Sequence, residues 1–166
     1  MTFYATEAWI VEQPIADTST TQKHPLGTIV RAKDSTYGEG EFIYLRGVGS
    51  TVVGSLVTYN ATTYQTALSP TNATTDSVPV AVAMSANVSS QYGWYQIGGL
   101  AVVKKTAVAV SPQVALFLSG TAGRVHVTAS SGKGIVGMRS ANLASVTSTT
   151  STVVAAINRP AIEAAT

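Results

Sequence analysis

The sequence predicts an all-β protein, a β-sandwich or jelly-roll-like barrel of short antiparallel strands with an extended N-terminal arm. Three observations predict it. Short runs rich in β-branched and aromatic residues recur along the chain, each bounded by Gly, Pro, Asn or Ser, as strands and their turns require. Val125 and Val127 alternate with Arg124, His126 and Thr128, the period of a half-buried strand. Helical spacing is confined to one short stretch near 5–15, which Pro14 would terminate. Regular short strands with frequent turns build sandwiches and barrels.

Taken in order, the expected strands cover 28–32, 41–46, 51–59, 78–85, 93–97, 100–110, 115–118, 124–129, 135–139 and 152–157. Phe42, Ile43, Tyr44 and Leu45 are apolar on both faces, which marks a central strand or one covered by a partner. Residues 14–25, PIADTSTTQKHP, are polar with a proline at each end and read as an arm leading out of the N-terminal segment. Residues 69–77 read as a surface loop. The expected organisation is therefore a segment and arm at 1–25, a β-domain at 26–160 and a tail at 161–166.

The second half carries an internal echo. PVAVAMSANVSS (79–90) leads to GWYQI (93–97), and KGIVGMRSANLASV (133–146) leads to TVVAAI (152–157). Each gives a strand, then Ser-Ala-Asn, a turn and another strand. Each also follows a hairpin-like unit, LVTYNATTYQTA (56–67) or ALFLSGTAGRVHVTA (115–129). The matching order predicts two related β-modules, about 50–97 and 110–157, packed face to face.

Composition limits the function classes. Of 166 residues, 45% are apolar, so a core can form, whereas only 11% are charged, against about 25% in an ordinary soluble domain. Ser, Thr, Ala, Val and Gly take their place, giving surfaces that are cheap to desolvate against a neighbour. The net charge is +2 and the ten Lys and Arg are scattered, apart from Lys104-Lys105. No basic stripe marks a nucleic-acid partner. No apolar run is long enough to span a membrane as a helix, and the first residues lack the basic start of a signal peptide. There is no Cys, hence no disulfide or thiolate chemistry.

Catalytic patterns are weak throughout, and no enzyme activity, cofactor or metal is expected. A nucleophile needs an oriented base, yet the two histidines, His24 in the polar arm and His126 on the polar face of a strand, read as solvated surface residues. Gly47-Val48-Gly49-Ser50 is a turn before a strand rather than a nucleophile elbow. Asp17, Asp34 and Asp76 are isolated and form no metal loop. Glu39 and Glu41 flank Gly40 and would share one strand face. Paired carboxylates serve glycoside hydrolysis, but the pair equally suits an Arg from a neighbouring subunit, the preferred reading. Tyr92, Trp94 and Tyr95 form an aromatic cluster in which Trp94 and Gln96 share one face and Tyr95 and Ile97 the other. Such a cluster places one aromatic inside and one at an interface, or forms a stacking platform for sugars.

Two segments, YGEGEFIYLRGVGSTVVGSLVTY (37–59) and the stretch 95–160 ending in GKGIVGMRSAN and AAINRP, resemble the capsid decoration, or cement, proteins of tailed bacteriophages. The resemblance implies a β-sandwich or jelly-roll fold, a place on the exterior of a virion made in the host cytoplasm, and homo-oligomers, dimers or trimers, that bridge subunits of the major capsid protein. The alternative is a receptor- or carbohydrate-binding β module of a virion fibre or tail. The residues expected at a subunit or capsid contact are Phe3, Tyr4, Trp9, Ile10, Val11, Glu39, Glu41 and Trp94. The first five are apolar and precede the polar arm, which would carry them away from the domain.

Overall fold

The computed structural model describes residues 3–5, 12–73 and 77–163, and these are all-β. Eleven strands occur: β1 (Phe3–Ala5), β2 (Ile29–Asp34), β3 (Gly38–Arg46), β4 (Leu56–Tyr59), β5 (Thr66–Leu68), β6 (Val80–Ala83), β7 (Tyr92–Lys104), β8 (Ala115–Leu118), β9 (Val125–His126), β10 (Gly134–Ser140) and β11 (Thr152–Glu163). They form one sheet in the order β1-β2-β3-β7-β11-β10-β8-β9, with β6 also on β7 and β4 joining β6 to β5. Every pairing between these strands is antiparallel. The sheet curls until its β4–β5 branch meets the β8–β9 end: Leu56 N donates to Gly123 O at 2.9 Å and Gly123 N to Ser69 O at 3.1 Å, joining β4 to the turn before β9.

The internal echo has a structural counterpart. Strands β5-β4-β6-β7 and β9-β8-β10-β11 are two units of identical pairing order. Both hairpins form, with Val57 opposite Leu68 and Phe117 opposite His126. The units join edge to edge through β7 and β11, with Thr152 opposite Lys104 and Asn158 opposite Gly98, rather than stacking as separate sheets. The curl then brings Leu56, Val80 and Val82 of the first unit into one core with Leu116, Leu118, Val125 and Ile135 of the second.

Two expected strands, 93–97 and 100–110, are one. Gly98-Gly99 reads as a terminator, yet β7 runs through it. The reason is a bulge: Glu41 opposes Gly98 and Phe42 opposes Gln96, so Ile97 is the extra residue on β7. Gly99 at φ +91° completes it, and a Cβ there would lie 2.3 Å from Glu39 O. Residues 161–163 of the expected tail are also strand, because β11 continues to Glu163 with Ile162 opposite Ile135, and 164–166 lie outside the described residues. Pro160, which has no N–H to give, sits where Gly137 of β10 faces Asn158–Pro160 and the register shifts. The strand expected from 51 begins at Leu56, since Gly54 at φ +81° and the Ser55 hydroxyl, accepting from Val52 N at 3.1 Å, make a turn.

Strand β3 is central and its own chain covers both faces. Ile43 and Leu45 pack with Tyr95, Ile97 and Val57. Phe42 and Tyr44 pack on the other face with Trp94, Val30 and Ile15. Ile15 belongs to the stretch expected to be a free arm, and that expectation is corrected: Gln13, Ile15 and His24 are buried, and Ser19 forms a β-bridge with Tyr92. Residues 13–26 form a lid of the β-domain because Phe42, Tyr44 and Trp94 would otherwise face water.

Candidate functional surface

The lid is fastened by one glutamine. Gln13 Nε2 donates to Tyr92 O at 2.9 Å and to Asp17 O at 3.1 Å, and the Tyr44 hydroxyl donates to Gln13 Oε1. The Trp94 indole N–H donates to Gln13 O at 2.8 Å. Rings of Tyr44 and His24 lie 5.0 and 5.2 Å from Trp94. Trp94, expected at a contact surface, is therefore a core residue with no exposed area, and Tyr95 likewise. The split of Trp94 and Tyr95 onto opposite faces is observed, and of the three clustered aromatics only Tyr92 is partly exposed, so Trp94 and Tyr95 offer no ring for a sugar to stack on. His24 is corrected too, from solvated arm to buried ring.

Of the other expected contact residues, Phe3 and Tyr4 lie on β1 opposite Asp34 and Lys33 of the same chain. Trp9, Ile10 and Val11 lie outside the described residues. The chain on either side of that gap is held by its own domain, Ala5 by pairing with Ala32 and Gln13 by its bonds to Tyr92 and Tyr44.

Glu39 and Glu41 stand two apart on β3, opposite Lys33 and Arg31 of β2. The arginine expected from a neighbour comes from the same chain, and twice. Arg31 donates to Glu41 Oε1 at 3.1 Å and Arg159 to Oε2 at 3.3 Å. With both oxygens engaged by guanidinium groups, Glu41 is arranged as an ion-pair bridge between β2, β3 and β11 rather than as a nucleophile or proton donor. The two arginines are about two-thirds exposed, so the bridge adds little stability. Among the described residues no group of three His, Asp or Glu is placed to hold a metal.

The feature missed at the sequence level is the end formed by the loops 106–114 and 141–151. Lys105 is buried at the end of β7, and its ammonium donates to Val108 O at 2.7 Å, Thr147 O at 3.0 Å and Thr106 O at 3.4 Å. Burial pulls its pKa below the usual lysine value. Val110 and Val146 exchange two backbone bonds of 2.9 Å. Ser140 Oγ donates to Ser111 O and accepts from Val114 N, while Asn142 Nδ2 donates to Val110 O and Ala144 O. The Ser-Ala-Asn motif thus ties the two loops together. Its earlier copy acts alike: Asn87 is fully buried, donating to Tyr92 O at 2.9 Å and accepting from Ser85 Oγ and Gly93 N.

From this pinned end Leu143 projects with 103% of its reference area exposed. No charged residue lies within 106–123 or 140–158, so the segments building this end carry only small, hydroxyl, amide and apolar side chains. One sequence signal did point here. Lys105 shares the two-residue period of Ala101 and Val103, both buried, which sends it inward.

The chain is thus an all-β protein built of a curled, duplicated antiparallel sheet, with the loops 106–114 and 141–151, which carry no charged side chain, as its distinguishing surface. No protein-family model, curated protein or solved structure matches the chain.

Proposed function

We propose that the chain is a structural protein of a virus particle, a cement protein on the outside of a tailed-bacteriophage head that bridges neighbouring subunits of the major capsid protein. The observation that carries this reading is the pinned pair of uncharged loops, 106–114 and 141–151, with Leu143 exposed on the second. A fully exposed leucine forgoes the roughly 1.5–3 kcal/mol that its burial would contribute. A loop held by the Lys105 ammonium, Ser140 and Asn142 loses little freedom on docking. Loops without charged side chains give up no ionic hydration of their own when a partner covers them. Function follows from binding alone: a protein that engages only the assembled shell stabilises it by mass action, and many copies on a lattice multiply a modest affinity.

The test is a thermal melt of heads with and without the protein. Wild type is expected to raise the shell transition. Leu143→Asp is expected to leave the melt of the isolated protein unchanged and to bind the shell at least about tenfold more weakly, the factor that 1.4 kcal/mol represents. An unshifted shell transition with saturating wild type refutes the reading.

A further inference from the structure

The β8–β9 hairpin and the turn before β10 enclose a pocket of about 300 Å³ lined by Leu118, Gly120, His126, Thr128, Ser130 and Lys133. That volume is at the lower end of small-molecule sites. Its lining is mainly apolar, and the polar groups that it holds are chiefly donors. The backbone N–H of Thr128 donates to His126 Nδ1 at 2.9 Å. An amide N–H cannot accept, so Nδ1 bears the lone pair and the neutral ring carries its proton on Nε2. His126 therefore offers an N–H at its far end. Lys133 adds an ammonium whose backbone is fixed on both sides, its N–H donating to Ser130 O at 3.1 Å and its carbonyl accepting from Leu118 N at 2.8 Å. Thr128 and Ser130 add hydroxyls, and no lining residue is acidic. Leu118 supplies an apolar wall, and Gly120 keeps the rim open, with no atom within 4 Å of where a Cβ would stand.

We propose that this pocket binds a phosphate monoester. Lys133 and the His126 Nε2–H hold the dianion, the Thr128 and Ser130 hydroxyls donate to its remaining oxygens, and the organic group lies along Leu118. A phosphate monoester brings three terminal oxygens and a charge near −2 to these donors, against two oxygens and a single charge for a carboxylate, so the ammonium favours it. The site lies on residues outside the loops 106–114 and 141–151, so it stands or falls independently of shell binding.

The experiment is a proton–nitrogen NMR titration of the full-length protein with inorganic phosphate, with phosphoserine and, separately, with acetate. Expected are saturable shifts of the Gly120 and Thr128 amides and of the His126 ring with both phosphates, tighter binding of phosphoserine than of inorganic phosphate, and about tenfold weaker binding in Lys133→Ala. His126→Gln, which keeps a side-chain donor, is expected to retain more affinity than His126→Ala, with unchanged far-UV circular dichroism in both. Absence of saturable shifts with either phosphate overturns the proposal. So do shifts that persist undiminished in Lys133→Ala, and acetate binding as tight as phosphate binding, which would make the pocket a carboxylate site.

Discussion

Replacing Gln13 by alanine separates a docked lid from a detachable arm. The substitution deletes the bonds from Nε2 to Tyr92 O and Asp17 O and removes the acceptor of the buried Tyr44 hydroxyl. Each such bond contributes a net of about 0.5–1.5 kcal/mol. The three together give an expected loss of about 2–4 kcal/mol, a fall in Tm of roughly 5–15 °C for a domain of this size. The Trp94 bond goes to the Gln13 backbone and is retained, so the loss isolates the side chain. The assay is urea denaturation of Gln13→Ala, Tyr44→Phe and the double variant, with a coupling of at least about 0.5 kcal/mol expected between the two sites. A Gln13→Ala cost below about 0.5 kcal/mol, with no coupling, would show that the Gln13 side chain does not fasten the lid. The reasoning from burial would then fail.

Two further substitutions test other parts of the fold. Gly99→Ala combines a left-handed φ of +91° with a Cβ set 2.3 Å from Glu39 O; it is expected to cost more than about 2 kcal/mol by denaturation, while Gly49→Ala, with nothing within 4 Å, should change stability by less than about 0.5 kcal/mol. Burial depresses the pKa of folded Lys105, so between the folded value and the ordinary lysine value near 10.5 the unfolded chain binds more protons, and wild-type stability should rise with pH through that window relative to Lys105→Met. Taking the difference cancels Tyr44, Tyr59 and Tyr95, whose pKa values burial raises and whose contribution is lost as pH rises above about 10. A flat difference in denaturation midpoint from pH 8 upward would contradict it.

Much of the sheet was legible because period-2 alternation and turn residues are local signals. Val125 and Val127 mark β9, and the repeated Ser-Ala-Asn marks two units of like pairing order, although these join edge to edge rather than face to face. What failed was non-local. Gly98-Gly99 reads as a break when Glu39 and Glu41 across the sheet are unseen, and as a bulge when they are present. The 14–25 stretch is polar on average, yet Gln13, Ile15 and His24 contribute their contacts one at a time, and composition cannot reveal that three rings await them. Trp94 was placed on the correct face, but whether that face is covered depends on a segment about eighty positions earlier in sequence. Leu143 carries no local signal, because exposure is a property of the finished surface.

The unequal lengths of β6 and β10 have a consequence for growth. One edge of β7 is divided, with Tyr95 and Gln96 paired to β6 and Gly98 to Lys104 left for β11. The matching edge of β11 is taken along both halves by β10, through Ser140–Met138 and again through Val136–Gly134. In the second unit, therefore, the long β10 occupies the berth that the short β6 leaves vacant for the next unit. The duplication terminates itself: a third unit spliced after β11 would find no free edge on β11 to join unless β10 were cut back to the length of β6. The array is closed by the strand that ends it, as solenoids are closed by their terminal caps.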